Sequence, residues 1–229
     1  YTAEWPKTTY ESLRGVKMKK NIIVISGPSG VGKSTVIKEL MKRSFVIEQS
    51  MSDTTRSPRG NGDFYRFISR KQFFNNLKNG LYVEYNCYSD NYYGINREVL
   101  RSILQKGHIA LIDCNTAGLL HLLADKEFQK QIISFYLTAK PEVIYARLQN
   151  RNSETPESLL ARMEEGISDL AVAGKGIYDF IFLNDRGDTA EKILQVCSGN
   201  LHIKSDLSPL ELSDFSIRQK EFCDKLKKE

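Results

Sequence analysis

The sequence has no apolar run approaching the roughly 20 residues that cross a bilayer, so no membrane-spanning helix is expected. Its strongest apolar stretches, such as Asn21–Ile25 and Ile109–Ile112, have the length of buried strands. The chain does not open on the apolar core of a signal peptide. Cysteines are few: Cys87, Cys114, Cys197 and Cys223, with no CxxC pair, and His108, His121 and His202 lie far apart. This scarcity argues against a zinc site or a disulfide framework and for reduced thiols in a cytoplasmic protein. Helix-turn-helix, RNA-recognition and zinc-finger patterns are missing, as are internal repeats and low-complexity tracts. Charge of one sign is also in short supply. The 33 Lys+Arg and 28 Asp+Glu leave +5. Residues 1–20 contribute 5 − 2, residues 21–199 contribute 22 − 20, and residues 200–229 contribute 6 − 6. Most of the surplus lies outside the core, so neither nucleic acid nor a membrane surface is an expected partner.

What is present is ordinary globular composition, 41% hydrophobic and 27% charged over 229 residues, enough for one domain with appendages. Residues 1–17 read as an N-terminal extension or a cloning remnant ahead of Met18. Residues 18–199 read as the domain, and 200–229 as a helical extension opening at Ser208-Pro209. Such a helix is expected to pack on the core or on a partner subunit. Oligomeric state is left open, a homo-oligomer included. Within the domain, β-rich runs at Asn21–Ser26, Phe45–Ser50, Ile109–Asp113, Ile132–Leu137 and Tyr178–Leu183 alternate with helical patterns. Those patterns cover Lys33–Lys42, Arg97–Gln105, Pro141–Leu148 and Pro156–Ala171. The alternation predicts an α/β fold, a parallel sheet flanked by helices. Residues 52–96 interrupt it with polar, Tyr-rich segments, which predicts an inserted small mixed β subdomain.

Gly27-Pro28-Ser29-Gly30-Val31-Gly32-Lys33-Ser34 fits GxxxxGK[ST], with Thr35 next, a strand pattern before it and a helical pattern after it. Glycines let backbone N–H groups close around phosphate oxygens, and the helix start adds positive potential. Lys33 is expected on the β- and γ-phosphates and the Ser34 hydroxyl on Mg²⁺. The motif implies a nucleoside triphosphate and leaves the phosphoryl acceptor open.

Ser52-Asp53-Thr54-Thr55-Arg56-Ser57-Pro58-Arg59 follows, two arginines three apart among hydroxyls. Arginine forks match phosphate geometry. Together with the phosphate loop upstream, the segment resembles the guanylate kinase family from about Asn21 to Gly199. The resemblance implies ATP as donor and GMP as acceptor, with an acceptor-binding insert at about 52–96 and a helical lid at about 147–170. It implies that Arg56, Arg59, Tyr65 and Tyr93 hold the acceptor phosphate, with Gly94 as a turn glycine. Glu84 and Ser52 would read the base: one carboxylate can accept both guanine N1–H and N2–H₂, which adenine cannot offer. Asp113, at the end of the Ile109–Ile112 run, would sit near Mg²⁺ and the acceptor. Arg147, Arg151 and Arg162 resemble the family's lid arginines: Arg151 and Arg162 would close over the transferring phosphoryl group, while for Arg147 ordinary helix-surface charge is the stronger competing reading. Asn184-Asp185 resembles the loop that touches the adenine of ATP.

The chain departs from the family pattern in three places, all in the acceptor pocket. The turn between Arg59 and Tyr65 is shortened to Gly60-Asn61-Gly62-Asp63-Phe64. Ile95 replaces a small hydroxyl residue after Gly94. Asn115 replaces the second acid of D-x-D, keeping an acceptor but losing the charge. A same-fold kinase with another phosphorylated acceptor is therefore a second reading, though Glu84 argues against a sugar. A non-catalytic guanylate-kinase-like protein-binding module is a third, against which the intact Lys33 and Ser34 stand.

Overall fold

The computed structural model describes residues 20–58, 65–88, 90–150, 155–200 and 202–228. The 1–17 extension, Arg59, the 60–64 turn and Arg151 lie outside them. In chain order the first half runs β1 (Ile22–Ser26), α1 (Lys33–Arg43), β2 (Ile47–Gln49), β3 (Ser52–Thr54), β4 (Tyr65–Phe67), α2 (Arg70–Lys78), β5 (Tyr82–Tyr88) and β6 (Asn91–Asn96). The second half runs α3 (Arg97–Gln105), β7 (Ile109–Asp113), α4 (Thr116–Ala124), β8 (Ile132–Thr138), α5 (Pro141–Gln149), α6 (Pro156–Ala173), β9 (Phe180–Leu183), α7 (Thr189–Cys197) and α8 (Pro209–Leu226).

The expected α/β architecture is present. A parallel sheet in the order β2-β7-β1-β8-β9 is built from the five β-rich runs. Every residue of β1 and β8 is buried, because helices cover both faces, and strands so placed are near-continuous apolar runs. Alternate residues feed two cores. Ile23, Ile25, Leu111, Phe135 and Leu137 pack with α1, α5 and α7 on one face. Ile22, Val24, Ala110 and Ile112 pack with α3, α4 and Leu170 of α6 on the other. Phosphate-loop, acidic and adenine-side candidates then emerge at the carboxyl ends of β1, β7 and β9, where ligands of such sheets gather.

The insert forms a second, mixed sheet in the order β4-β3-β6-β5. Asp53 on β3 is fully buried. It is forked by Arg66 through Nε at 2.5 Å and Nη2 at 2.8 Å and receives the Tyr82 hydroxyl at 2.7 Å. With Asn76 Nδ2 donating as well at 3.4 Å, this buried carboxylate stitches β3, β4 and β5 together. The insert is less purely β than its sequence suggests, since α2 lies within it. The Ser69 side chain caps α2, and Phe73 is its one buried residue, so almost no apolar stripe marks it. Helices α4 and α7 carry no expectation from the sequence either. The nearly uniform apolarity of Thr116–Ala124 gives α4 no helical period to read.

Candidate active site

β1 ends at Ser26 and the chain turns at once into the glycine-rich loop. At Gly27, with φ of 143°, a Cβ would lie 2.2 Å from the Leu137 carbonyl oxygen, so only glycine lets the loop pass this close to β8. Gly32, with φ of 102°, occupies the left-handed region and opens α1. The first turn of α1 carries no acid, which leaves its positive end unopposed. Lys33 Nζ folds back on the loop and donates to the Gly27 carbonyl at 2.6 Å and the Pro28 carbonyl at 3.4 Å.

A cleft of about 780 Å³ runs from this loop to the second sheet. It brings together Gly27, Ser29, Gly30, Gly32, Lys33 and Ser34 with Ser52, Tyr65, Glu84, Tyr93, Asp113, Asn115 and Arg162. Arg162, on α6, donates through Nη1 to Ser29 Oγ at 3.2 Å, so α6 touches the phosphate loop. Tyr65 and Tyr93 meet edge to face at 5.7 Å. Arg56 lies just behind them, buried, its guanidinium 5.5 Å from the Tyr65 ring centre.

Glu84 is positioned by a β-bulge. Tyr82 pairs with Asn96, yet Glu84 pairs with the next residue back, Ile95. The extra residue, Val83, re-aims the strand, as bulges do beside sites. Glu84 is 5% exposed, and among the described residues no group donates a hydrogen bond to it. Burial alone pushes its carboxyl up to about 7. Gly118 makes room for it, since a Cβ there would lie 3.1 Å from Glu84 Oε1 and 2.9 Å from Cys114 Cβ. Asp113 opens onto the cleft but is crowded by protein. That desolvation raises its carboxyl above the usual range, while the Lys33 ammonium pulls it back. Asn115 lends its side-chain oxygen to the Gly118 N–H at 2.9 Å, capping α4. An asparagine therefore serves the helix as well as an acid would.

Several expectations change. Asn184 is buried and its side chain is committed: Nδ2 donates to the Val31 carbonyl at 2.8 Å and Oδ1 accepts from Thr189 Oγ1 at 2.8 Å. With that side chain it braces the phosphate loop. Arg147, read as surface charge, joins that brace by donating to Val31 O and Asn184 O at 2.9 Å each. Val31 faces away from the cleft, with its side chain in the core and its N–H on the Pro28 carbonyl at 3.3 Å. Gly94 is not in a turn: it pairs with Asp53 and Tyr85 in mid-strand. The Tyr82 ring lies over it, 2.9 Å from where a Cβ would stand. Thr35 is exposed on α1 and does not line the cleft. Ile95 is buried in the core, 2% exposed. Asp169 was missed. It lines the cleft and accepts from the Thr116 N–H at 3.1 Å and the Tyr136 hydroxyl at 2.9 Å. Its spacing from Arg162 and Gly166, i, i+4 and i+7, marks one helical face and was legible in the sequence.

The brace makes a prediction. Arg147→Met removes two charged donors from buried carbonyls, so melting should fall by about 1–3 kcal/mol of stability. The KM for ATP should rise about tenfold with little change for the acceptor, as steady-state kinetics and thermal melts would show.

Comparison with known proteins agrees with this architecture. The family model described as guanylate kinase matches residues 19–198. The guanylate kinase of Prochlorococcus marinus is 32% identical over 185 residues, covering 79% of this chain and 98% of the relative. That of Sus scrofa is 33% identical over 173 residues, covering 73% and 86%. The crystal structure of guanylate kinase from Anaplasma phagocytophilum superposes with a TM-score of 0.59 at 22% identity, over 81% of this chain and 88% of that one, a likeness of fold. With the family model covering most of its length and relatives this similar aligned almost end to end, the chain belongs to the guanylate kinase family.

Proposed function

We propose that this chain transfers the γ-phosphoryl group of ATP to the phosphate of GMP or dGMP, giving ADP and the nucleoside diphosphate. The observation that carries the reading is the single cleft shared by the phosphate loop and the buried, undonated carboxylate of Glu84. One end suits a triphosphate, and the other suits a base edge with two N–H donors. The acceptor phosphate is already an anion, so no side-chain nucleophile is needed. Catalysis is positioning plus electrostatic stabilisation. Loop N–H groups and Lys33 hold the donor phosphates. Tyr65 and Tyr93, backed by Arg56 and joined by Arg59, hold the acceptor phosphate, and Ser52 and Glu84 orient the base. Arg162, with Arg151, meets the charge that spreads over the transferring group.

Ser34 and Asp113 fit Mg²⁺. They offer one hydroxyl and one carboxylate on the cleft, and the described residues hold no cluster of three or more His, Cys, Asp or Glu that could bind a metal alone. That donor set suits an ion carried in by phosphate oxygens and water. Bound there, Mg²⁺ would neutralise charge on the donor phosphates. A cytoplasmic setting goes with the reading, and no helix among the described residues is long and apolar enough to cross a membrane.

The test is ADP release from Mg-ATP with a panel of monophosphates. GMP and dGMP should support turnover well above AMP, CMP and UMP. No GMP-dependent ADP release would overturn the reading.

A further inference from the structure

The C-terminal helix α8 lies beyond the 19–198 segment that matches the family model, yet it packs along α5 and α6. Phe222 meets Tyr145 of α5 edge to face at 5.7 Å. Lys227 pairs with Glu164 of α6 at 2.5 Å. One turn before Phe222, Gln219, 1% exposed, drives its Nε2 into α6 and donates to the Met163 carbonyl at 2.5 Å. It reaches that carbonyl because residue 166 is a glycine. A Cβ there would lie 2.7 Å from Gln219 Nε2 on one side and 3.1 Å from Pro28 Cβ of the phosphate loop on the other. Helix α6 is therefore held between α8 and the phosphate loop at one level, next to Arg162, whose Nη1 reaches Ser29.

The geometry points to Gln219 and Gly166 as positioning residues for phosphoryl transfer: together they set how deeply α6 seats against the phosphate loop, and so where the Arg162 guanidinium stands. The inference rests on the role proposed for Arg162. It follows from rigidity. A buried side-chain amide bonded to a helix carbonyl has no other partner to move to. A glycine with protein on both sides leaves no slack in which the helix could settle elsewhere. Misplacing a charged group by about 1 Å can cost about 10²-fold in rate, so partial loosening is expected to cost about tenfold.

Gln219→Ala and Gly166→Ala should each lower kcat about tenfold while the KM for ATP and GMP changes less than about twofold, the pattern of an interaction made in the transition state. Both break one contact, so the double variant should also lose about tenfold, not a hundredfold. Lys227→Met, which removes the exposed ion pair to Glu164 but leaves Gln219 Nε2 on the Met163 carbonyl, should keep wild-type kcat, because an exposed pair holds a helix only weakly. Amide exchange across Arg162–Ile167, read without nucleotide, should speed up in the Gln219 and Gly166 variants but not in Lys227→Met. The proposal is overturned by wild-type kcat in Gln219→Ala, by a multiplicative double variant, by an equal loss in Lys227→Met, or by unchanged exchange. An inactive wild type would strike the kinase reading instead, and the exchange data would still decide the seating.

Discussion

Lys33→Met should lower kcat with Mg-ATP and GMP by about 10³-fold, the scale seen when a preorganised donor is taken from developing charge. The loop holds the lysine ready, with Nζ on the Gly27 and Pro28 carbonyls. Exchanging two carbonyl partners for phosphate oxygens costs little reorganisation. The ammonium then meets far more negative charge than it leaves, most of all when the γ-phosphoryl group is in flight. Methionine preserves length and loses all three donors. Melting of the nucleotide-free variant should shift by no more than about 1 kcal/mol of stability, because Lys33 is only half-buried and the loop is independently braced by Asn184 and Arg147. Rapid-quench kinetics with thermal melts would check both. A loss under tenfold would remove Lys33 from the reaction.

Glu84→Gln should lower kcat/KM for GMP by about 10³-fold and raise that for AMP, because the purine edge is read by hydrogen-bond polarity. The carboxylate offers acceptors to N1–H and N2–H₂. The amide sets a donor against one of them, yet can donate to adenine N1 and accept from its amino group. The wild type adds a pH signature. Burial holds the Glu84 carboxyl protonated until about pH 7 in free protein, while guanine requires it ionised. Wild-type kcat/KM for GMP should therefore climb with pH through about 7, and this limb should vanish in Glu84→Gln. Stability moves the opposite way. The unfolded chain ionises this group near 4.5, whereas the folded chain keeps its proton to about 7. Folding thus loses about 3 kcal/mol as pH rises across that window, and the variant should lack this slope. Denaturant melts at a series of pH values measure it. A GMP profile unchanged by the substitution would detach Glu84 from the base.

The fold was legible where one signal dominated. Doubly covered parallel strands read as near-continuous apolar runs, so five runs gave five strands, with only the edge strand β2 carrying two polar residues in three, and β7 and α3 matched their sequence boundaries residue for residue. Glycine spacing marked the phosphate loop for the same reason: few backbones besides a phosphate cradle need that pattern. The less legible parts depend on contacts between distant segments. No local pattern tells that Asn184, far along the chain from the phosphate loop, folds under Val31, or that Arg147 turns inward beside it. Gly94 read as a turn residue because its real cause, the Tyr82 ring lying on it, comes from another strand. The bulge that turns Glu84 inward is a register shift, visible only once β5 is paired with β6.

Among the described residues the chain passes between its two sheets at residues 50–51 on the way out and at Asn96–Arg97 on the way back. The strands that leave and return, β3 and β6, lie side by side, Ser52 opposite Ile95. Val83 and Ile95 of the second sheet also sit in one core with Ile112 of β7 and Leu119 and Leu122 of α4. Two adjoining attachments and a shared core register the second sheet on the first, as a keystone seats two spans. The distance and direction from Glu84 to the phosphate loop are therefore properties of the backbone, set before any side chain meets a ligand.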